Sequence, residues 1–179
     1  NALDPTENAP ASIAANQIVG SFRDKETVKA FAKECDVVTV EIEHIDVEAL
    51  RELAAAGVDV QPTPETLATI QDKYAQKVHF QKAGVPLGPF ADVPDQVALD
   101  KAAMEFGFPL MLKSKRLAYD GRGNAVAKTA GDLASAVEKL GGFAQGLYCE
   151  KWVPFERELA VMVVRAKDGE TVCYPVVET

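Results

Sequence analysis

Met111-Leu-Lys-Ser-Lys-Arg-Leu-Ala-Tyr-Asp-Gly-Arg-Gly-Asn124 is the stretch whose reading decides the fold. Pro109 to Lys115 predicts a buried strand that ends in charge, and Ala125-Val126-Ala127-Lys128 predicts its returning partner. The loop between them is polar and holds two glycines. Gly121 and Gly123 can take positive φ and let backbone N–H groups crowd an anion, while Lys113, Lys115, Arg116 and Arg122 bring positive charge to it. The pattern is a phosphate cradle on a hairpin. A Walker loop would need Gly-Lys-Ser/Thr opening a helix, and the dinucleotide fingerprint would need its glycines between a strand and a helix. An exposed turn with solvated basic residues fits the same letters.

Working outward, a strand near Phe90 and a helix from Pro94 to Phe106, with Val97, Ala102 and Phe106 inward, precede the hairpin. A helix from Gly131 to Leu140 and a strand from Leu147 to Val153 follow it. The unit from about Leu87 to Tyr148 therefore reads β-α-β-β-α-β, a small lid able to close over a ligand. Beyond it, Glu158 to Arg165 and Thr171 to Val177 predict antiparallel strands around Asp168-Gly169.

Upstream, Asn1 to Ile18 reads as loop with a helical turn from Ala11. Asp24 caps a helix to Cys35, and Asp36 to His44 is the best strand in the chain. Asp46 opens a helix with Val47, Leu50, Leu53 and Ala54 inward, Gly57 ends it, and Val58 to Val60 is a short strand. This alternation predicts a parallel α/β sheet whose opening helix lacks a preceding strand. Thr63-Pro64 starts a further helix whose apolar stripe, Leu67, Ile70, Tyr74 and Val78, runs toward Gly84 and falters at Gln71-Asp72. Lys73 is expected in a charged turn there. The divisions are 1–63, the linking helices 64–86, the lid 87–150 and a last segment 151–179.

Composition narrows the function classes. Near-half apolar content with few aromatics describes a globular domain, and the net charge of −8 argues against nonspecific nucleic-acid binding. No run approaches the ~20 apolar residues of a membrane helix. Cys35, Cys149 and Cys173 are odd in number and widely spaced in apolar runs, so they read as reduced core thiols of a cytoplasmic protein.

Three constellations carry chemistry. Glu41 and Glu43 lie two apart on the predicted strand, so both carboxylates share one face at its C-terminal end, where open sheets collect ligands; a strand face emerging into water fits as well. His44 beside them reads as a loop or core histidine. Glu150-Lys151-Trp152-Val153, with Glu158 beyond, could offer a base its backbone donor and acceptor and a ribose its carboxylate, although two solvated glutamates and a core Trp152 are equally consistent. Lys73 gains meaning beside Lys113, since two ammonium groups flanking a triphosphate stabilise the charge of phosphoryl transfer.

Lys73, Lys113, the Gly-rich hairpin, Glu150 to Val153 and Glu158 occur in the order seen in ATP-grasp ligases. Thr-Val-Glu-Ile-Glu-His, Gln-Asp-Lys, Tyr-Asp-Gly-Arg-Gly and Phe-Glu-Arg-Glu-Leu resemble, more narrowly, the 5-(carboxyamino)imidazole ribonucleotide synthase family of purine biosynthesis. Its eukaryotic form is fused to the mutase of phosphoribosylaminoimidazole carboxylase. The resemblance implies mixed α/β and α+β architecture: the end of a Rossmann-like domain, the ATP-grasp lid, and the start of the large ATP-grasp lobe. It implies ATP and Mg²⁺ as cofactors, with bicarbonate and aminoimidazole ribonucleotide as substrates and a possible homodimer. By the same resemblance Lys73 and Lys113 would contact phosphates, and Ala118, Tyr119, Asp120, Gly121, Arg122, Gly123 and Asn124 would form the phosphate lid. Glu150, Lys151, Trp152 and Val153 would hold adenine and Glu158 the ribose. Tyr119, Asp120 and Arg122 would face the ribonucleotide, with Tyr119 and Arg122 catalytic and Glu41 and Glu43 nearby. The family's Gly-rich βα turn is expected upstream of Asn1 and its magnesium carboxylates downstream of Thr179, so an incomplete, inactive piece is implied. Glycinamide ribonucleotide synthetase, biotin carboxylase or a noncatalytic nucleotide-binding module are the competing assignments.

Overall fold

The computed structural model describes residues 1–118 and 123–179. Tyr119, Asp120, Gly121 and Arg122, on which the expected catalytic and ribonucleotide contacts fall, lie outside the described residues.

Residues 1–71 build an α/β unit from short parallel pairs. β1 (Ala2–Asp4) pairs with β2 (Gln17–Val19), and β3 (Val37–Thr39) pairs with β4 (Asp59–Gln61). Asp24 accepts from the Thr27 N–H at 2.8 Å and so caps α1 (Lys25–Ala32), and Asp46 does the same for α2 (Val47–Ala55) through Ala49. Val28, Ala32, Val38, Leu50, Leu53, Val60 and Leu67 form the core of this half.

Several expectations change here. The first eighteen residues are not plain loop, because β1 and most of β2 lie among them and a 3-10 turn spans Pro10–Ile13; α1 therefore does follow a strand. β3 is three residues long, not nine. Its partner runs into Pro62, which has no N–H to continue the ladder after Thr39 pairs with Gln61. On α2 the inward residue is Ala49, while Ala54 is exposed. A cavity of about 630 Å³ is lined by β1, β3 and the first residues after β3, and by neither β2 nor β4.

The linking stretch is two helices, α3 (Pro64–Gln71) and α4 (Lys73–Lys82). Asp72 separates them with extended backbone, φ −120° and ψ 107°, and its carboxylate accepts from the Ala75 N–H at 2.9 Å. Lys73 is thus the first residue of α4, not a turn residue.

The lid has the predicted order: β5 (Phe90–Val93), α5 (Gln96–Phe106), β6 (Leu110–Ser114), β7 (Asn124–Ala127), α6 (Leu133–Lys139) and β8 (Leu147–Lys151). Its strands form one antiparallel sheet in the order β5-β8-β6-β7. Alternation sends Val93, Leu110, Leu112, Ala125, Ala127, Leu147 and Cys149 toward α5 and α6, where Leu99, Ala102, Ala103, Leu133 and Val137 complete a second core. Val97, expected inside, is 78% exposed, because the buried stripe of α5 runs through Leu99, Ala102 and Ala103. The opposite face carries Phe90, Asp92, Met111, Lys113, Tyr148 and Glu150.

Downstream, β10 (Val163–Arg165) pairs with β11 (Thr171–Cys173), and β9 (Leu159–Ala160) with β12 (Val177–Glu178), both antiparallel. Gly169 turns the ribbon with φ +92°. All of residues 151–179 are exposed, Cys173 included, which corrects the reading of three core thiols; Cys35 is half-buried, Cys149 is buried, and all three are free. No helix among the described residues is long and apolar enough to cross a membrane.

Candidate nucleotide site

The polar face of the lid sheet brings two of the predicted site residues, Lys113 and Glu150, together. β8 is central, so Glu150 stands opposite both Phe90 and Met111, and Tyr148 stands opposite both Asp92 and Lys113. Lys113 and Glu150 share this face on neighbouring strands, and Lys113 Nζ lies 3.3 Å from Glu150 Oε1. The cation near the end of β6 and the segment that begins at Glu150 therefore share one face of the sheet.

α4 covers part of the same face. Its Lys77 Nζ is 3.1 Å from Glu150 Oε1. Tyr74 packs against Phe90 at 5.7 Å and Tyr148 at 6.0 Å between ring centres. Lys115 Nζ sits 2.7 Å from Asp92 Oδ1 and 5.0 Å from the centre of the Tyr74 ring. Asp92 Oδ1 and Glu150 Oε1 are buried and receive these ammonium groups at ion-pair distance without hydrogen-bond geometry. Burial, and secondarily the Glu150 charge, pushes the Tyr148 phenol well above its ordinary range, so the phenol stays neutral.

The start of the Gly-rich loop is tied to the linking helices. The Lys73 N–H donates to the Lys115 C=O at 2.7 Å, and an Arg116 Nη donates to Gln71 Oε1 at 2.8 Å. Lys115 and Arg116, which the sequence reading assigned to the loop's positive charge, thus also have protein partners at the loop's root. Leu117 takes φ +57°, uncommon for a leucine, just before the loop. At the loop's return Gly123 has φ +85°, and a Cβ there would meet the Ala118 Cβ at 2.7 Å. Close approach and backbone conformation both require glycine.

The remaining expected residues are placed as follows. Asn124 opens β7 opposite Lys113, and Ala118 touches Gly123. The Lys151 N–H donates to the Pro89 C=O at 2.9 Å, Trp152 is 39% exposed, and Val153 Cγ2 faces the position a Gly88 Cβ would take. Glu158 is exposed before β9 with its C=O accepting from the Thr179 N–H, and among the described residues no hydrogen bond or ion pair joins its carboxylate to the sheet. Glu41 and Glu43 follow β3 on a bend, so the shared strand face does not form. Glu41 lines the apolar cavity, and the Glu43 C=O accepts from Gln71 Nε2 at 2.6 Å. His44, Arg23, Asp46, Gln71 and Arg116 line a separate cavity of about 250 Å³.

Sequence reasoning gave no site role to Lys77, Gln71, Asp92 or Tyr74; Tyr74 stood on the predicted apolar stripe and Gln71 in Gln-Asp-Lys, but neither pattern marked a contact with the lid sheet. Among the described residues no group of three or more His, Cys, Asp or Glu side chains is placed to hold a metal ion.

Residues 78–179 match the ATP-grasp domain family, and residues 1–71 match the ribonucleotide synthetase preATP-grasp domain. A protein of Vigna aconitifolia named phosphoribosylaminoimidazole carboxylase, chloroplastic, is 52% identical over 177 residues, covering 98% of this chain and 31% of the relative. The crystal structure of carboxyaminoimidazole ribonucleotide synthase from Aspergillus clavatus complexed with ATP superposes with a TM-score of 0.89 at 44% identity, covering 98% of this chain and 46% of that one. A structure of the synthase from the same organism, in complex with ADP and 5-aminoimidazole ribonucleotide, gives 0.87 at 41% identity, with the same coverage. The chain spans about a third of that curated relative and under half of each solved chain.

Proposed function

We propose a function from one premise: the chain belongs to the ATP-grasp family, with a ribonucleotide synthetase pre-ATP-grasp domain ahead of the ATP-grasp domain. In the whole protein it serves the ATP-dependent carboxylation of 5-aminoimidazole ribonucleotide. ATP phosphorylates bicarbonate to carboxyphosphate, the 5-amino nitrogen takes the carboxyl group, and ADP and phosphate leave. The relatives' printed names support this choice over other ATP-grasp ligases.

The observation that carries the reading is the convergence of Lys113 and Glu150 on one face, 3.3 Å apart. A triphosphate laid on that face meets an ammonium group at one end and the Glu150 to Val153 segment at the other. Lys113 holds phosphate oxygens, and Lys73 at the start of α4 joins it. The loop from Ala118 to Asn124 closes over the phosphates with backbone N–H groups. Because the Lys151 N–H is spent on Pro89, the base takes its ring-nitrogen donor from Val153 and its amine acceptors from Lys151 and Glu150. Trp152 flanks this segment, and Glu158 approaches the ribose when the exposed C-terminal ribbon docks. Tyr119, Asp120 and Arg122 belong to the ribonucleotide in this scheme, Tyr119 and Arg122 at the reacting atoms, with Glu41 and Glu43 at the far side of its site.

Mg²⁺ would neutralise phosphate charge in such a reaction, but the carboxylates among the described residues do not assemble a site that would hold it. The fused carboxylase (decarboxylase) activity, a homodimer, a cytoplasmic setting and the division at 63/64, 86/87 and 150/151 belong to the same proposal. The two separate cores support that division, and the free cysteines support a reducing compartment.

The test is thermal stabilisation of the chain by ADP. Lys113→Ala is expected to remove it. Equal stabilisation of the variant and the unmutated chain would place nucleotide elsewhere.

A further inference from the structure

Lys77 is a cation at the polar face that the scheme above does not use. It lies one turn beyond Lys73 on α4. Its Nζ reaches across to the sheet, 3.1 Å from Glu150 Oε1 and 5.9 Å from the centre of the Phe90 ring. Lys113 approaches the same oxygen at 3.3 Å. The three side chains are only 22%, 27% and 16% exposed for Lys77, Lys113 and Glu150. Two ammonium groups thus share one largely buried carboxylate, and Oε1 receives neither with hydrogen-bond geometry.

This arrangement has a consequence once Lys113 is given to phosphate. A buried carboxylate that loses its counter-ion is strongly disfavoured in the charged form. Lys77 is not drawn away, because the base end lies on its side of Lys113, at Phe90 and Glu150. We infer that Lys77 is a positioning residue for the base end of the nucleotide site. It keeps the Glu150 carboxylate paired and in place while Lys113 serves the phosphates. The Glu150 oxygen then accepts from the exocyclic amine of a 6-aminopurine, and it repels the carbonyl that a 6-oxopurine presents there. The inference rests on the nucleotide-site reading and gives Lys77 a positioning part in it.

Calorimetric titration of the 179-residue chain with ADP, GDP and tripolyphosphate tests it. Lys77→Met should weaken ADP by about tenfold or more, narrow the ADP-to-GDP ratio, and leave tripolyphosphate within about twofold. Lys77→Arg should restore most of the ADP affinity, which also separates a lost charge from a misfolded variant. In a Glu150→Gln background the Lys77→Met change should cost ADP nothing further. Three outcomes overturn the inference alone: unchanged ADP affinity in Lys77→Met, equal losses for ADP and tripolyphosphate, or a full effect of Lys77→Met persisting beside Glu150→Gln. The second would make Lys77 a phosphate contact. Absence of ADP binding by the unmutated chain would overturn the nucleotide-site reading and this inference with it.

Discussion

Cys149 shows how much one position in the lid sheet is governed by its surroundings. It is fully buried on β8, and that burial pushes its thiol from an ordinary 9.0 up to about 11. The folded state therefore holds its proton where the unfolded state has lost it. Stability from this residue is complete below pH about 9 and is lost as the pH rises through about 11. Thermal melts across that window should show a decline that Cys149→Ala lessens. Iodoacetamide at pH 8, read by mass spectrometry, should label exposed Cys173 first and Cys149 only on unfolding. At this scale the sequence was informative wherever a charge ended an apolar run, as at Lys113 and Glu150. Lys77 was hidden because α4 has no buried residues to set its stripe, so nothing marked which of its lysines turns toward the sheet.

The hairpin and lid strands were legible because short apolar runs that end in charge lie on either side of a polar, glycine-bearing loop, a pattern that bounds buried strands. Three-residue strands are too short to alternate, which is why β1 and β2 went unseen. β3 failed the other way: Val-Val-Thr-Val-Glu-Ile-Glu alternates well, yet a strand extends only as far as its partner can bond, and Pro62 stops β4. The stripe through Leu67, Ile70 and Tyr74 falters at Gln71-Asp72, which marked a break there, but only the capping preference of Asp72 could reveal that Lys73 opens a second helix. Two substitutions probe the lid. Gly123→Ala forces a Cβ against Ala118 at positive φ, and should cost about 1–3 kcal/mol in urea melts and speed amide exchange at Ser114, whose N–H donates to the Gly123 C=O. Leu112→Ala opens a void in the lid core and should cost about 2–5 kcal/mol by the same melts.

At the scale of the whole molecule, the Gln71 side chain is one link between the two halves. Gln71 Nε2 donates to the C=O groups of Glu43 and Ile45 at 2.6 and 2.8 Å, and its Oε1 accepts from Arg116. It thus fastens the loop after β3 to the root of the Gly-rich loop. Gln71→Ala should cost about 1–3 kcal/mol in denaturant melts and loosen both loops in hydrogen exchange, with little effect on the amides of β8. This junction could not be read from the chain, because a glutamine at the end of a helix carries no pattern.

Among the described residues β1 and β3 each have one edge without a strand partner and both line the apolar cavity, and the C-terminal ribbon shows Val161, Met162, Val163, Val164 and Val172 to water. Bare strand edges beside greasy surface are templates on which other molecules stack. Kept as it stands, the polypeptide should be poorly soluble: light scattering should rise steeply with concentration, and a lysine at Val163 or Val172 should delay that clouding without changing the fold.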